Sequence, residues 1–213
     1  SRGLGDVYKR QPLAVCMNKL ELLSEHPDCT EDQLKEIAGL HQALNGIIRL
    51  NKSLLLLSRI DNKQFPETRD ICLNHLIHKI LEGINDIYER KALHLRVSEK
   101  ESLVCTMNES LATTLITNLI KNAYVHNYEK GDIGITISRR MLTIANTGID
   151  KTLDKELLFA RFASQSKQQE STGLGLAIVK SIVDLYSIRI DYQYANGMLS
   201  LIHISEPTRP EPI

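Results

Sequence analysis

The sequence predicts an α/β sandwich, in which a mixed sheet carries three helices on one face, preceded by a two-helix hairpin. Two observations support this prediction. Up to about residue 60 the apolar residues follow only helical spacing, whereas after residue 70 short alternating apolar runs are interspersed with helical ones. Segments of both kinds in one stretch indicate a sheet covered by helices, so we expect the hairpin and the sandwich to be separate domains.

Each helix of the predicted hairpin has its own apolar stripe. The first stripe consists of Leu13, Cys16, Leu20 and Leu23. The run 26–28 breaks this pattern, and Thr30 with the polar residues after it is typical of a capped helix start. The second stripe consists of Leu34, Ile37, Leu40, Leu44, Ile47, Leu54 and Leu57. Because such a hairpin has too little core alone, we expect two chains to pair through residues 12–60 into a four-helix bundle.

A polar segment that contains Pro66 separates the hairpin from the second predicted domain. We place the hairpin at 12–63, the linker at 64–70 and the α/β domain at 71–198. Predicted helices cover the periodic run 73–87, the motif 117–127 and residues 174–187. Predicted strands lie at 93–97, 103–107, 133–137, 141–145 and 188–194, and an Asn-Gly hairpin turn follows at 196–197.

The composition is that of an ordinary globular protein. Of the 213 residues, 42% are hydrophobic and 24% charged, and 26 basic residues balance 26 acidic ones. This balance gives no indication of a nucleic-acid or membrane surface. The four cysteines are scattered without a CxxC pair, which predicts reduced thiols rather than a disulfide framework or zinc site. Apolar runs such as Leu54–Leu57 are far too short to span a bilayer, and no signal peptide is visible.

The two ends of the chain, residues 1–11 and 199–209, match each other at the level of codons. Each residue pair, from Ser1 with Arg209 to Gln11 with Leu199, has reverse-complementary codons available. Both strings resemble translated transposase adapters from sequencing libraries. We therefore interpret residues 1–11 as an adapter artefact and 199–213 as an adapter-derived tail, and we expect natural sequence from about Pro12 to Met198, truncated at both ends.

Three polar residues, Asn118, Asn122 and His126, are spaced four apart in the predicted helix through 117–127. This spacing places them on one helix face, opposite apolar residues. Amide oxygens suit a magnesium ion that already carries phosphates and waters, and Asn122 is our first choice for that ligand. Asn118 would contact the phosphates or the same ion. Taken alone, the spacing favours a solvated helix face.

A polar run ends in Gly173 and Gly175 and opens directly into an apolar-periodic helix. That arrangement is typical of a phosphate site at a helix N-terminus. The third glycine and the preceding strand of a Rossmann fingerprint are missing, and the run is not a Walker loop. Segment 164–172, which has no apolar residue, is interpreted as a mobile lid whose Lys167 reaches phosphate oxygens.

Two shorter motifs lie between these features. ANTG at 145–148 ends a predicted strand where a flat base can approach the backbone, and Asn146 can accept from an adenine amino group. Alone, this motif is usually only a turn. LFARF at 158–162 combines two phenylalanines with Arg161, and without context it fits an amphipathic turn equally well.

In their order, these motifs resemble those of the Bergerat-fold (GHKL) ATPases. TNLIKNA is similar to the N box, ANTG to the first glycine box, LFARF to the phenylalanine box of sensor kinases and TGLGLAIV to the second glycine box. PLAVCMNKLELL also resembles the first helix of a sensor kinase dimerisation domain. The chain thus resembles a two-component sensor histidine kinase over residues 12–198.

The resemblance implies an ATP-binding catalytic portion that phosphorylates a histidine and passes the phosphoryl group to a response regulator. Magnesium would be bound by Asn122. The residues implied in ATP and phosphate binding are Asn118, His126, Asn146, Gly148, Arg161, Lys167, Thr172, Gly173, Leu174 and Gly175. The fragment would be cytoplasmic, and its bacterial parent would be anchored in the inner membrane through the missing N-terminal region.

The acceptor histidine of the family pattern precedes the Pro-Leu helix start by five residues. That position is Val7 here, inside the adapter segment. No histidine of this chain has an acidic neighbour followed by a Pro-Leu helix start. His41 is the best candidate for a replacement acceptor by its position in the hairpin. We therefore expect no catalytic acceptor in this chain and no autophosphorylation.

Four smaller departures concern the nucleotide site. Asn146 replaces the usual adenine-binding aspartate, although an amide oxygen still accepts a hydrogen bond. Asp150 and Ser171 replace glycines, and Val125 replaces a common basic residue. We expect these changes to alter nucleotide affinity rather than the fold.

Three alternatives remain open. A hydrolytic Bergerat ATPase would need a glutamate in the N box, which neither Asn118 nor Asn122 supplies. An anti-sigma-type serine kinase usually lacks the long hairpin. A dimeric scaffold whose nucleotide pocket has decayed would be non-enzymatic, and nucleotide binding distinguishes it from a kinase.

Overall fold

The structure is a computed structural model that describes residues 2–88, 91–148, 159, 173–195 and 198–201. The chain forms two compact units, which divide between Leu55 and Leu56. We had placed this boundary at 64–70. It lies earlier because the end of the second helix belongs to the second unit, where Leu57 and Ile60 are buried.

The first unit contains helix α1, Arg2–Ser24, and most of helix α2, Glu31–Asp61. The predicted start of α2 at Thr30 is confirmed by a capping box, in which Thr30 N donates to Gln33 Oε1 at 2.9 Å and Gln33 N donates to Thr30 Oγ1 at 3.3 Å. Helix α1 begins at Arg2, so residues 2–11 of the adapter segment are helical. The unit leaves apolar side chains exposed: Val15, Leu22, Leu23, Leu34, Leu40, Ile47 and Leu54.

After the end of α2, the second unit continues with a strand that the sequence did not predict. Strand β1, Arg69–Cys72, pairs antiparallel with β3, Val104–Met107, in a separate two-stranded sheet. Before it, Arg59 lies 4.8 Å from the centre of the Phe65 ring. An Arg69–Glu109 ion pair joins β1 to the start of a helix described below.

The main sheet has five strands, β2 His94–Glu99, β4 Asp132–Ser138, β5 Met141–Thr147, β6 Tyr192–Ala195 and β7 Met198–Leu201. Their order is β2-β4-β5-β7-β6, with β2 and β4 parallel and the other pairs antiparallel. The predicted mixed sheet is thus confirmed. β6 is shorter than the predicted strand at 188–194, and the Asn-Gly turn at 196–197 lies outside the described residues. β7 includes residues 199–201 of the adapter-derived tail, which lie between β5 and β6.

Three helices complete the sandwich, α3 Leu73–Tyr88, α4 Glu109–Val125 and α5 Gly175–Leu185. Helix α4 is central, because it packs against α3, α5 and β5. Alternate residues of β4 and β5 are buried, and so are the apolar faces of α4 and α5. The predicted α/β sandwich is confirmed. In the part of the chain that the structure describes, no helix has the length and apolar character needed to cross a bilayer.

Candidate nucleotide site

The N-terminus of helix α4 is fixed by a group of hydrogen bonds centred on Asn108, here called the hub. Asn108 is the N-cap, and its Oδ1 accepts from Ser110 N at 3.0 Å and Leu111 N at 3.3 Å. Its Nδ2 donates to Glu67 O at 3.0 Å, and its backbone N donates to the Tyr186 hydroxyl at 3.0 Å. The hub therefore ties α4 both to the segment before β1 and to the end of α5.

The polar face of α4 meets the first residue of α5. Asn118 Nδ2 donates to Thr114 O at 2.8 Å, which fixes the orientation of the amide. A Cβ placed on Gly175 would lie 3.0 Å from Asn118 Oδ1. Only a glycine leaves the amide undisturbed at this distance. Residues of the two predicted motifs are thus brought into contact.

The start of α5 has the geometry of an anion site. Gly173 has φ 67°, a left-handed conformation that favours glycine, and Leu174 is the N-cap and fully buried. No side chain of the described residues caps this helix, so its first backbone N–H groups are not satisfied by a side-chain cap. These donors and the helix dipole favour a negatively charged ligand beside Asn118.

A second pair of segments meets at the other end of α4. Asn146 is buried in β5, and its Nδ2 donates to Thr147 O at 2.9 Å. A Cβ on Gly148 would lie 3.4 Å from His126 O and 3.5 Å from Asn146 Nδ2. His126, Asn146 and Gly148 are therefore neighbours, and the Asn146 Oδ1 remains as an acceptor.

His126 lies at the end of the helix that carries the two asparagines. Helix α4 ends at Val125, and His126 is its C-cap, with φ −88° and ψ 10°. Its backbone N still donates to Asn122 O at 3.1 Å. His126 is thus one helical turn after Asn122, and its carbonyl group lies close to Gly148.

The sequence did not identify Lys91 as part of this region. Its Nζ donates to Tyr124 O and Val125 O, each at 2.9 Å, and to Asn127 O at 3.1 Å. A cation at a helix C-terminus is stabilised by the helix dipole as well as by these bonds. No local pattern indicates this role, because Lys91 is far from α4 in sequence.

The His126 imidazole is exposed by surface area, yet protein atoms crowd its ring. This partial desolvation lowers the pKa of His126, and the Lys91 charge lowers it further. The folded protein therefore keeps this imidazole neutral to a lower pH than an ordinary exposed histidine.

Asn122 lies one turn after Asn118 and is half-buried. Among the residues that the structure describes, no hydrogen bond of its side chain is formed, so its amide oxygen is available to a hard cation. Within the same residues no group of three or more His, Cys, Asp or Glu side chains forms a metal centre. The donor set therefore fits an ion whose remaining ligands are phosphates and waters.

Several predicted site residues lie outside the described residues. They are Arg161, Lys167 and Thr172, together with Phe162, Asp150 and Ser171. Phe159 is described and is half-buried. Of the predicted site, the described part brings together Asn118 with Gly175, and His126 with Asn146 and Gly148.

Residues 107–209 match the family model described as histidine kinase-, DNA gyrase B-, and HSP90-like ATPase. This region contains α4, the site and most of the main sheet. Fold and site together define an ATPase domain of that class. The chain carries an ATPase domain of the kind found in two-component sensor histidine kinases.

Among curated proteins, the heme sensor protein HssS of Staphylococcus saprophyticus is 32% identical over 198 residues, which cover 88% of this chain and 42% of HssS. HssS of Staphylococcus aureus strain Newman is 31% identical over 194 residues, covering 87% of this chain and 42% of that protein. The chain thus spans about two fifths of the length of these relatives.

Two solved structures are similar in fold. Histidine kinase AdeS of Acinetobacter baumannii has a TM-score of 0.65 at 18% identity, covering 93% of this chain and 98% of that one. Full-length ShkA in complex with AMPPNP has a TM-score of 0.70 at 15% identity, covering 95% of this chain and 45% of that one. At these identities the similarity concerns the fold.

Proposed function

We propose that this chain is the ATP-binding catalytic portion of a protein histidine kinase. In the parent protein, the γ-phosphoryl group of ATP would be transferred to a histidine and then to an aspartate of a response regulator. The observation that carries this proposal is the contact of Asn118 with Gly175. It places the Asn118 side chain beside the N-terminus of α5, whose first backbone N–H groups have no side-chain cap among the described residues and can donate to a nucleotide triphosphate.

The chain's own groups account for phosphate binding and activation. Backbone N–H groups at the start of α5 stabilise negative charge on the phosphates, and they do so most where that charge increases during transfer. Asn122 would hold a magnesium ion, which supplies charge neutralisation on the phosphates when it is bound. Asn118, oriented by its bond to Thr114 O, positions a phosphate for in-line attack by a histidine nitrogen.

The other end of the site favours adenine. Because Asn146 Nδ2 donates to Thr147 O, its Oδ1 is the side-chain atom that would accept a hydrogen bond from a ligand. An acceptor pairs with the amino group of adenine and is mismatched with the carbonyl oxygen of guanine. Gly148 leaves room for a flat base beside His126 O. The site therefore prefers ATP to GTP.

The first unit is proposed to form a homodimer through residues 12–60. Apolar side chains on α1 and α2 are exposed among the described residues, and a four-helix bundle of two chains would bury them. The parent protein would be anchored in a bacterial inner membrane with this portion in the cytoplasm. The response regulator would dock on the dimer that carries the acceptor histidine.

Titration with a fluorescent ATP analogue, with and without Mg²⁺, tests nucleotide binding. We expect magnesium-dependent binding that falls at least about tenfold in Asn122→Ala, since a metal ligand is lost. Thr113→Ala is the matched control, because Thr113 is exposed on the same helix and bonds only to Glu109 O. Absence of magnesium-dependent binding in the unmodified chain would favour the scaffold alternative.

A second assay concerns the acceptor. Val7 stands at the family's acceptor position, so we expect the chain to bind ATP without labelling itself from γ-labelled ATP. Stable, acid-labile label on this chain would contradict that expectation. The variant His41→Ala then shows whether the histidine nearest in position is the acceptor.

A further inference from the structure

We propose that Asn127 and Thr147 are positioning residues that set base selectivity in the nucleotide site. Their side chains form a hydrogen-bonded connection, here called the latch, between the end of α4 and the end of β5. This inference rests on the proposed ATP binding. It adds two residues that contact each other instead of the nucleotide.

The Thr147 hydroxyl is the centre of the latch. Its Oγ1 accepts from Asp132 N at 2.8 Å and donates to Asn127 Oδ1 at 2.7 Å. Both the donor and the acceptor capacity of the hydroxyl are thus used within the protein. A threonine at the end of β5 therefore connects the start of β4 with the residue that follows His126.

Asn127 completes the latch from the other side. Its Nδ2 donates to Asp132 O at 3.1 Å, and its Oδ1 also accepts from Tyr128 N at 3.0 Å. The side chain is 7% exposed, so its polar atoms exchange few bonds with water. A buried amide whose hydrogen bonds are formed has a single preferred orientation, and this orientation holds the backbone of Asn127 in place.

Gly131 makes room for the latch. A Cβ at this position would lie 2.1 Å from Asn127 Oδ1 and 2.4 Å from Thr147 Oγ1. Position 131 cannot accommodate a side chain unless the Thr147 hydroxyl or the Asn127 amide moves. The latch is thus packed against bare backbone, which leaves it little freedom to rearrange.

Along the sequence, each latch residue is a direct neighbour of residues in the base site. Asn127 follows His126, and Thr147 lies between Asn146 and Gly148. A Cβ on Gly148 would lie 3.4 Å from His126 O, so these two segments are in close contact beside the base site, and a shift of either changes the space left for a base. By joining the neighbours of these residues, the latch fixes the position of one segment relative to the other.

The test compares Thr147→Val, which removes the hydroxyl at nearly constant shape, with Thr147→Ser, which keeps it. Equilibrium titrations with fluorescent ATP and GTP analogues give both affinities. We expect Thr147→Val to bind ATP about tenfold more weakly and to lose most of its preference for ATP, since the positioning bonds are lost. Thr147→Ser should retain both within about twofold.

Thr143→Val is the matched control, because Thr143 lies on the same strand and the same face as Thr147. We expect it to leave affinity and selectivity unchanged. Circular dichroism at the assay temperature confirms that each variant is folded, and amide chemical shifts of His126 and Gly148 in the nucleotide-free chain report on the latch directly. Thr147→Val should move both shifts, and Thr143→Val should not.

Wild-type selectivity in Thr147→Val would overturn the inference, and so would weaker ATP binding with an unchanged ratio of ATP to GTP affinity. Unmoved His126 and Gly148 shifts in that variant would overturn it independently of any nucleotide. Failure of the unmodified chain to bind either nucleotide would instead overturn the proposed function, and with it the role of the latch in selectivity.

Discussion

Replacing Gly175 by alanine should separate nucleotide binding from stability. The added Cβ would lie 3.0 Å from Asn118 Oδ1, which is tighter than ordinary van der Waals contact. The Asn118 amide must therefore move by a few tenths of an ångström, although its bond to Thr114 O at 2.8 Å holds it in place. The same methyl group also narrows the approach of a phosphate to the first turn of α5.

The two effects on stability nearly cancel. Alanine in place of a helical glycine stabilises by about 0.5–1 kcal/mol, whereas a weakened Asn118–Thr114 bond removes about 0.5–1.5 kcal/mol. We expect a net change in the free energy of unfolding within about 1 kcal/mol. Loss of one hydrogen bond to a charged phosphate is larger, about 1.5–3 kcal/mol, which corresponds to a roughly 10- to 150-fold weaker affinity for ATP.

The assay pairs a titration with a fluorescent ATP analogue with denaturant unfolding of the same preparations. Gly83→Ala is the matched control, because Gly83 lies in α3 with no atom within 4 Å of an added Cβ. It should gain about 0.5–1 kcal/mol of stability and bind the analogue like the unmodified chain. Wild-type affinity in Gly175→Ala would refute the argument, because the Asn118–Gly175 contact would then lie away from the phosphates.

Three further predictions concern α4 and its ends. Lys91→Met should destabilise the second unit by about 1–3 kcal/mol in denaturant unfolding and raise the pKa of His126 in an NMR titration, whereas the exposed Lys121→Met should do neither. Asn108→Ala should lower the free energy of unfolding by about 1 kcal/mol, measured by the same method, because the N-cap of α4 is lost. Because the folded-state pKa of His126 is lowered, its contribution to stability is present above the ordinary histidine value of about 6.5 and decreases as the pH falls through the lowered pKa. Unfolding free energies measured from pH 7.5 to 5 should therefore fall less steeply in His126→Gln, and an equal slope would contradict the assignment.

Local patterns predicted most of the fold. The apolar spacing of α4 and the glycines before α5 are contained in short segments, so both helices were predicted. The ends of α5 lie within two residues of the prediction, whereas α4 begins at Glu109, eight residues before the predicted motif at 117–127. Strand β1 was missed, because four residues that begin with Arg69 and Asp70 show no alternation that distinguishes them from a linker. Its pairing with β3 supplies the stability that its own sequence does not indicate.

The sequence identified residues of the candidate site but did not predict which of them contact each other. Helical spacing puts Asn118 and Asn122 on one face, yet the contact of Asn118 with Gly175 depends on how α4 and α5 pack. Lys91 and the Asn127–Thr147 bond likewise join segments that are distant in sequence. Tertiary packing sets such contacts, and a single sequence carries no local signal for them.

The order of the main sheet also determines when the domain can fold during synthesis. β7 is the last of the described strands to leave the ribosome, yet it lies between β5 and β6. Until Leu201 is available, β6 lacks the neighbour it pairs with, and the edge of β5 at Asn146 remains open. We therefore expect the nucleotide-binding half to become protease-resistant only once Leu201 has left the ribosome, in one late step rather than strand by strand.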